Sequence, residues 1–401
     1  MCDSYDLSPG WTRLPLRTLL RRRKERATGK ELLLSVTQTR GVIRQEEVGR
    51  RDSSNDDKSS YWRVQQNDIV YNTMRMWQGV SGRSNFQGIV SPAYTVCEPI
   101  GEVETRFLAY LFKSPKSISN FYRLSQGLVS DTWNLRYPAF ASIKFDVPPL
   151  AEQRRIADIL DALHQQISAI EVVIGNLRSS HHGLSESLMR SAEAETMPLS
   201  SHLTRPPKNG YSPKEVDEWT GLVALGLGCL THEGFQPRQL KNVPARDGRN
   251  ASAMVNDGDL LMSRANTREL VGLAGVYRDV GMPCIYPDLM MKLTPLPTCR
   301  TEYLELHLRS DDIRRRIQAI AQGTSESMGK ISGSEVQRLP VAIPSLAEQD
   351  RILKIVNTSQ EGIELRKRER DKLALLEQGL AEDLLTGRVR VETAESVLED
   401  L

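Results

Sequence analysis

The sequence predicts an α+β protein: two mixed α/β domains, separated by two long helices that form an antiparallel coiled coil with pseudo-two-fold symmetry. Three observations predict this fold: a repeat at an offset of 196 residues, a heptad pattern after each repeated box, and a mixed segment of similar length before each box. The predicted domains are residues 1–147 and 197–343. Residues 148–196 form the central helix, and residues 344–401 form the C-terminal helix with an acidic tail.

The repeat is carried by a short box that reads PLAEQ at residues 149–153 and SLAEQ at residues 345–349. At the same offset, Gln126-Gly127 matches Gln322-Gly323. Two copies are too few for a solenoid, which needs at least about three stacked repeats. The repeat therefore indicates two globular domains, each followed by the same connecting element.

The first connecting element has the apolar spacing of a coiled coil. Apolar residues recur in steps of four and three, a pattern that predicts a helical seam. Pro148 and Pro149 mark its start, because proline is favoured just before or within a first helical turn. An unbroken helix from residue 150 to 190 would span roughly 60 Å. The seam residues are Ile156, Leu160, Leu163, Ile167, Ile170, Ile174 and Leu177, followed by His181, Leu184 and Leu188.

The second connecting element has the same frame with a more polar centre. Gly387 is expected to end this helix, and the acidic residues from Glu392 onward are expected to be frayed. Two similar seams can bury each other within one chain, and this pairing is favoured over a parallel pair in a homodimer, which stays open. The apolar seam positions include Ile352, Val356, Ile363, Leu373, Leu380 and Leu384.

The two domains show short apolar runs bounded by turn residues. In the first domain, strands are expected at residues 32–36, 69–71 and 89–90, and a helix at 107–112. In the second domain, strands are expected at 260–262 and 271–277, and one helix at 303–322. The order of the strands cannot be deduced from these runs.

Charge is divided unevenly along the chain, although the net charge of all 401 residues is only +2. Residues 1–147 carry 22 basic and 15 acidic residues, for +7, and residues 197–343 carry 18 and 16, for +2. The two helical segments carry −3 and −4. Basic domains on acidic spacers are compatible with binding to phosphates.

Two basic runs stand out within the domains. The run at residues 21–24 could contact DNA phosphates or form a solvated helix face, and both alternatives stay open. The run at residues 314–316 is expected to be the solvated face of an amphipathic helix.

Motifs for catalysis, metal binding and membrane insertion were sought without success, and a non-catalytic protein is expected. Residues 323–330 read GTSESMGK, with five residues rather than four before Gly-Lys and no following Ser or Thr, so a phosphate-binding loop is rejected. This loop and its match at 127–134 are interpreted as contact loops. The five cysteines form no C-x-x-C pair, which argues against a disulfide framework or zinc cage and favours a reducing cytosol. No apolar run approaches the length that a membrane-spanning helix needs.

These residues resemble one known family, the specificity subunits of type I restriction-modification systems. The resemblance covers nearly the whole chain and rests on the paired boxes and the layout of two domains and two helices. Residues 74–79 (MRMWQG) with 88–94 (GIVSPAY) are similar to a version of the first target-recognition domain, and residues 263–267 (SRANT) with 270–272 (LVG) to a version of the second.

The resemblance implies that the chain reads double-stranded DNA and catalyses no reaction itself. Two modification subunits would methylate adenine, and restriction/translocase subunits would move and cut DNA. S-adenosylmethionine, ATP and Mg²⁺ would bind to those partners, with no cofactor and no metal on this chain. Each domain would read half of a split, asymmetric target, and the helices would set the spacer and dock the modification subunits in the cytoplasm, away from any membrane.

Base readout needs side chains with paired donors or acceptors, such as Arg for guanine and Asn or Gln for adenine. The same residues could instead lie in turns and touch phosphates, which would position the protein without reading sequence. The candidates for base readout are Arg75, Gln78 and Arg83 in the first domain and Arg264, Asn266, Arg268 and Lys330 in the second.

Two other functional classes also remain open for the chain. One is a DNA-recognition subunit of a related methylation-based system without the motor, and the other is a coiled-coil scaffold without DNA function.

Overall fold

The computed structural model describes residues 8–28, 31–49, 57–127, 133–322 and 328–399. They form two compact units. Unit 1 contains the described residues of 1–172 and 368–401, and unit 2 contains those of 173–367. Each long helix therefore contributes one part to each unit. The boundaries predicted between the globular domains and the helices stay predictions.

Most strands of both units are short. Those that precede the first long helix are β1 (Thr12–Pro15), β2 (Leu20–Arg22), β3 (Leu34–Thr37), β4 (Gly41–Arg44), β5 (Trp62–Val64), β6 (Ile69–Asn72), β7 (Ser81–Arg83), β8 (Gly88–Val90), β9 (Tyr94–Pro99) and β10 (Lys144–Val147). Those that follow it are β11 (Thr196–Pro198), β12 (Lys208–Asn209), β13 (Val223–Leu225), β14 (Leu230–Thr231), β15 (Gly234–Phe235), β16 (Leu240–Asn242), β17 (Leu260–Ser263), β18 (Ala265–Asn266), β19 (Ala274–Val276), β20 (Cys284–Ile285), β21 (Met290–Leu293), β22 (Gly329–Lys330) and β23 (Pro340–Ala342).

Two of the helices are several times longer than the others. In chain order the helices are α1 (Thr105–Leu111), α2 (Pro115–Leu124), α3 (Tyr137–Ser142), α4 (Leu150–Ser191), α5 (Thr301–Leu308), α6 (Asp311–Ile320), α7 (Gly333–Gln337), α8 (Leu346–Thr386) and α9 (Val391–Glu399). Within the described residues, no helix is both long enough and apolar enough to cross a membrane.

Both units are built around a four-stranded antiparallel sheet with the same connectivity. The strand order is β2-β9-β6-β7 in unit 1 and β12-β21-β17-β19 in unit 2. A second pair recurs as well, since β1 pairs with β10 and β11 pairs with β23. The sequence repeat therefore corresponds to a repeat of the fold, which confirms the predicted α+β class.

The central strands β6 and β17 each begin with three buried, largely apolar residues, because both of their faces are covered. In β6, Ile69 and Tyr71 enter one core cluster, whereas Val70 between them enters a second cluster on the opposite face. In β17, Leu260 and Leu261 divide between two clusters in the same way. This burial explains why continuous apolar runs marked these strands in the sequence.

The long helices pair antiparallel within each unit. In unit 1, the guanidinium of Arg370 lies 3.4 Å from the carboxylate of Glu171, and the carboxylate of Glu377 lies 3.4 Å from the imidazole of His164. Residue numbers therefore increase along one helix as they decrease along the other. In unit 2, Leu188 near the end of α4 packs in one cluster with Ile352 and other residues near the start of α8. The antiparallel pairing of one chain is therefore confirmed.

Most predicted seam positions face the interior of these pairs. Leu184 is the exception, because 38% of it remains exposed, and its predicted place on the seam is wrong. Among the predicted apolar positions, those that are buried are Ile156, Leu160, Leu163, Ile167, Ile174, Ile352, Val356, Ile363 and Leu384, and those that are half-buried are Ile170, Leu177, Leu188, Leu373 and Leu380.

The glutamine of each repeated box fastens a long helix to its unit. Gln153 is buried at the start of α4; its amide oxygen accepts the N–H of Glu104 at 2.8 Å, and its amide nitrogen donates to the carbonyl of Pro148 at 2.9 Å. Gln349 repeats both bonds from the second box, with Arg300 at 2.7 Å and Pro344 at 2.7 Å. The box therefore recurs because both copies perform the same structural task.

The C-terminal segment differs from the sequence-based expectation. Gly387, at φ = 71°, ends the helix as predicted. Residues 391–399, however, form α9 instead of fraying. Val391 and Ala394 are buried in the core of unit 1, and Arg155 on α4 donates to Glu395 at 3.0 Å. The burial of Val391 and Ala394, which lie on one face of α9, thus packs the acidic segment against unit 1.

Two further expectations require correction in unit 2. The single helix predicted at 303–322 is two helices, α5 and α6, which are separated at Arg309 and Ser310. The strand predicted at 271–277 forms only over β19, because residues 271–273 belong to the preceding connection. Helix α6 begins at Asp311, because the acidic side chains of Asp311 and Asp312 stabilise a helix N-terminus.

Candidate nucleic-acid interface

The predicted recognition residues lie mainly on one connection in each sheet. The first arch, residues 73–80, joins β6 to β7, and the second arch, residues 264–273, joins β17 to β19. The next-to-last residue of each arch is a glycine with positive φ, 76° at Gly79 and 75° at Gly272. Glycine adopts this left-handed conformation without steric penalty, and this allows the chain to return sharply into the sheet.

Main-chain hydrogen bonds show that the two arches are structurally equivalent. The N–H of the residue that opens each arch donates to one neighbouring segment, and its carbonyl accepts from another. These neighbouring residues of the two units match each other at the offset of the sequence repeat. The bonds are Thr73 N–H to Ala93 O (3.1 Å) and Leu135 N–H to Thr73 O (2.8 Å) in unit 1, and Arg264 N–H to Leu289 O (2.9 Å) and Ile331 N–H to Arg264 O (2.9 Å) in unit 2.

The second arch brings all four predicted residues of its unit together. Strand β18 in the arch pairs with β22, which places Ala265 opposite Lys330 and Asn266 opposite Gly329. Arg268 and Lys330 are exposed, and Asn266 is half-buried, with its side-chain oxygen accepting the N–H of the next residue at 2.8 Å. The pairing therefore brings the main chain of these residues close together, and the region that they form is the candidate surface of unit 2.

The positive charge of this surface is available to an anion as far as the structure describes it. Among the described residues, no hydrogen bond or ion pair engages the charged groups of Arg264, Arg268 or Lys330. A cluster of cationic donors with free hydrogen-bonding capacity can bind phosphate oxygens or the acceptor edge of guanine. Which of these it contacts stays a prediction.

The predicted residues of unit 1 are less uniform. Arg75 and Gln78 lie on the first arch and are half-buried. Arg83 lies on β7, where its Nε donates to Thr105 at 3.2 Å and its terminal nitrogens bond to Asn67 and Asn85. Arg83 thus already joins the sheet to the start of α1, and a role in DNA binding stays a prediction that competes with these bonds.

An aromatic cluster beside the first arch was not found from the sequence. The ring centroids of Trp77 and Trp133 are 5.2 Å apart, and those of Tyr122 and Trp133 are 4.8 Å apart. Half of Tyr122 and 42% of the neighbouring Met74 are exposed. The members are too far apart in sequence to form a periodic pattern. Such a surface can pack against bases or thymine methyl groups.

The predicted contact loops are closed in the same way in both units. A bridge joins Gln126 to Asn134, and its counterpart joins Gln322 to Lys330. Residues 128–132 and 323–327 within these loops lie outside the described residues. The bridges nevertheless place the described ends of both loops beside the arches.

The first basic run is not a helix face. Arg21 and Arg22 belong to β2, and the guanidinium of Arg23 donates to both oxygens of the buried Asp68 at 2.8 and 3.0 Å. Arg21 pairs with Glu98 at 2.7 Å. The helix-face alternative is therefore wrong, and contact with phosphates stays untested.

The second basic run was predicted as a solvated face, which holds for only part of it. Arg315 and Arg316 are exposed, but Arg314 is 8% exposed and bonds to carbonyls of the second arch. The prediction of a solvated face is wrong at Arg314, because the side chain of this residue extends from α6 to the second arch.

One cluster in the described part of unit 2 has the composition of a metal site. Ligand atoms of His182, Glu186 and Asp311 lie within 4.8 Å of one another. They already satisfy each other, since His182 Nε2 lies 3.2 Å from the Asp311 carboxylate and the Asp311 N–H donates to Glu186 at 2.9 Å. These bonds account for the cluster as a polar contact between α4 and α6.

Comparisons with known proteins connect this arrangement to DNA specificity. A family model described as the type I restriction modification DNA specificity domain matches residues 48–174. The chain is 25% identical to the type I restriction enzyme EcoKI specificity subunit of Escherichia coli K12, over 65% of this chain and 60% of that subunit. It is 22% identical to the MjaVIII specificity subunit of Methanocaldococcus jannaschii, over 82% and 80%. The match to the E. coli subunit thus spans less than two thirds of that protein.

Solved structures share the fold over nearly the whole chain. A chain from a study of complex assembly and conformational transition in a type I restriction-modification system has a TM-score of 0.60 at 18% identity, covering 96% of this chain and all of that one. The type I S subunit of M. genitalium has a TM-score of 0.52 at 14% identity, covering 96% and 98%.

Proposed function

Because the chain belongs to the type I restriction-modification specificity subunits, we propose that it binds double-stranded DNA sequence-specifically and directs methylation and cleavage to a split target. Each unit reads one half of that target. The observation that carries this proposal is the equivalence of the two arches, which share a main-chain frame but differ in their side chains. Different side chains on equivalent frames favour two different half-sites and hence an asymmetric target.

The side chains of the arches favour particular bases. Arg264, Arg268 and Lys330 are suited to guanine, and Asn266 is suited to adenine. In unit 1, the aromatic cluster and Gln78 favour A·T pairs, through the thymine methyl group and the adenine edge. The half-site of unit 2 is therefore expected to be richer in guanine.

The methylation and cleavage reactions belong to partner subunits in this proposal. The chain docks two modification subunits on its paired helices and, with the restriction/translocase subunits, completes a cytoplasmic complex. S-adenosylmethionine, ATP and Mg²⁺ bind to those partners. A groove of about 910 Å³ in unit 1 supports docking on the helices, because Ile159, Leu163 and Leu376 line it between α4 and α8. Leu375, which precedes Leu376 on α8, is 70% exposed.

Mapping of methylated adenines in cells with and without this protein tests the function. We expect methylation at one split, non-palindromic sequence only when the protein is present. An unchanged pattern of methylation, together with no salt-dependent binding of the chain to duplex DNA, would instead support a coiled-coil scaffold. Methylation without any partner that hydrolyses ATP would support the related system that lacks the motor.

The variant Arg264→Ala tests the recognition surface of unit 2. Loss of a contact to guanine should weaken binding to the matching half-site by about 1–3 kcal/mol and relax specificity at one position. The measurement is titration with duplexes that carry changes in either half-site. Equal loss of affinity for all DNA would make Arg264 a phosphate contact.

A further inference from the structure

A buried arginine holds the second arch. Arg314, in the first turn of α6, donates from one terminal nitrogen to the carbonyl of Val271 and from the other to that of Glu269, both at 2.6 Å. Burial lowers the pKa of this guanidinium below its ordinary value. In the described part of the chain, no carboxylate pairs with it. All of its described hydrogen bonds are therefore to the main chain of the arch.

A half-buried lysine does the same for the first arch. Lys113, which follows α1, donates from its ammonium to the carbonyl of Gly79 at 2.7 Å and to that of Gln38 at 2.8 Å. The side-chain amide of Gln38 donates in turn to the carbonyl of Gln78 at 3.3 Å. Burial lowers the pKa of Lys113 to about 8. The returning end of each arch is thus tied to a half-buried or buried cation.

The two cations do not occupy equivalent positions in the repeat. At the offset of the two boxes, Lys113 corresponds to Arg309, which donates to the carbonyl of His232 instead. Arg314 corresponds to Ile118, which packs against Gly79 so closely that a Cβ there would lie 3.1 Å from it. The same arrangement of a cation and arch carbonyls therefore arises from different positions, which argues against a remnant of the duplication.

These cations stabilise the arches and also give them a defined geometry. A buried carbonyl that loses its partner costs about 1–3 kcal/mol, so each cation contributes to the stability of its arch. The carbonyls of Val271 and Gly79 belong to buried residues, where water is a poor substitute for the cation. What a rigid cation adds is a fixed direction for two carbonyls, and this determines the path of the main chain that carries the recognition side chains.

We propose that Lys113 and Arg314 are positioning residues that fix the paths of the first and second arch and so determine discrimination at the two half-sites. This inference rests on the proposed function. Each cation acts through main-chain carbonyls that directly follow a predicted recognition residue: Gly79 follows Gln78 in the first arch, and Glu269 follows Arg268 in the second. Loss of the cation leaves these side chains present but no longer held in register with base edges.

The test uses the complex of this chain with its modification subunits and a duplex that carries the target mapped by adenine methylation. Binding is titrated for that duplex, for two duplexes with one half-site scrambled, and for one with both scrambled. The variants are Arg314→Met and Lys113→Met, which remove the charge but keep an unbranched stem. Arg315→Met removes an exposed arginine from the same helix and is the matched control.

We expect Arg314→Met to reduce discrimination at the half-site of unit 2 by about tenfold or more, comparable to the loss of one paired base contact. Discrimination at the other half-site and affinity for the fully scrambled duplex stay within about twofold. Lys113→Met has the reciprocal effect, and Arg315→Met changes neither half-site. Arg314→Lys, which keeps a donor, recovers part of the discrimination.

Equal reduction at both half-sites, or unchanged discrimination in both methionine variants, would overturn the inference. A variant that fails to fold is recognised by loss of complex assembly, and the lysine variant then provides the comparison of half-sites. A wild-type complex with no preference for any duplex would refute the proposed function itself, and this outcome is distinct from the others.

Discussion

Replacement of Gln349 by leucine tests how a long helix is attached to its unit. The side chain is fully buried, and its amide makes three bonds to the main chain: from the N–H of Arg300 (2.7 Å) and to the carbonyls of Thr298 (2.9 Å) and Pro344 (2.7 Å). Leucine has similar volume but leaves all three groups without this partner. At about 1 kcal/mol for each buried group that loses its bond, the junction should lose about 3 kcal/mol.

Hydrogen exchange measured by mass spectrometry is the suitable assay, because a chain of two compact units does not guarantee one two-state transition. A local loss of about 3 kcal/mol corresponds to exchange on the order of 100-fold faster at the amide of Arg300 and in the first turn of α5. Gln349→Glu should also destabilise this junction at neutral pH, since a carboxylate would face two carbonyls. This loss should diminish as pH falls, because the folded state then favours the protonated acid.

Gln153→Leu is the matched control in the other copy. It should accelerate exchange at Glu104 and leave Arg300 unchanged, and its effect should be smaller because its bond to Glu102 is long, at 3.4 Å. Unaltered exchange at Arg300 in Gln349→Leu would show that the glutamine does not fasten the helix.

Three other perturbations have defined outcomes. His307 on α5 is half-buried and accepts the N–H of Ala342 at 3.3 Å, and desolvation lowers its pKa to about 4. Since an unfolded histidine titrates near about 6.5, stability should fall by about 1 kcal/mol between pH 7.5 and 5.5. His307→Leu, which introduces the residue found at the matching Leu111 of unit 1, should lose this component in urea titrations. Ile156→Ala should cost about 2–5 kcal/mol because the side chain is fully buried, while Leu184→Ala on the same helix should cost under about 0.5; equal losses would contradict the assigned seam. Insertion or removal of one helical turn near Ile174 should change the preferred spacer or abolish DNA binding, and an unchanged methylation target with modification subunits still docked would disprove a spacer role.

The features that could be predicted are those in which many residues share one physical cause. Both long helices were predicted because burial of one stripe imposes a heptad pattern over about ten turns. The central strands were predicted because β6 and β17 are covered on both faces. The shortest strands, such as β12 and β22, gave no pattern because they are too short for an alternation to be recognised.

The candidate site was predicted in part for a related reason. Arg264, Asn266 and Arg268 are neighbours in sequence, so any connection after β17 would bring them together, and Lys330 joins them through the pairing of β18 with β22. The aromatic cluster and the buried state of Arg314 depend on tertiary contacts between distant segments. No local pattern encodes such contacts, and a basic run looks the same whether one member points inward or not.

The separation in sequence between equivalent elements is not constant along the two units. The separation is smallest between β1 and β11 and larger between β6 and β17. It is largest from Ala93 and Leu289 onward, just before β9 and β21, where it equals the offset of the two boxes. All the difference in length between the copies therefore accumulates before the short helix that the box glutamine holds. Insertions and deletions have been accepted in the part that surrounds the arches, whereas the distance from that helix to the long helix has stayed fixed to the residue. If each unit reads one half-site as proposed, the two units can differ in the DNA that they bind while each keeps the same junction with its long helix.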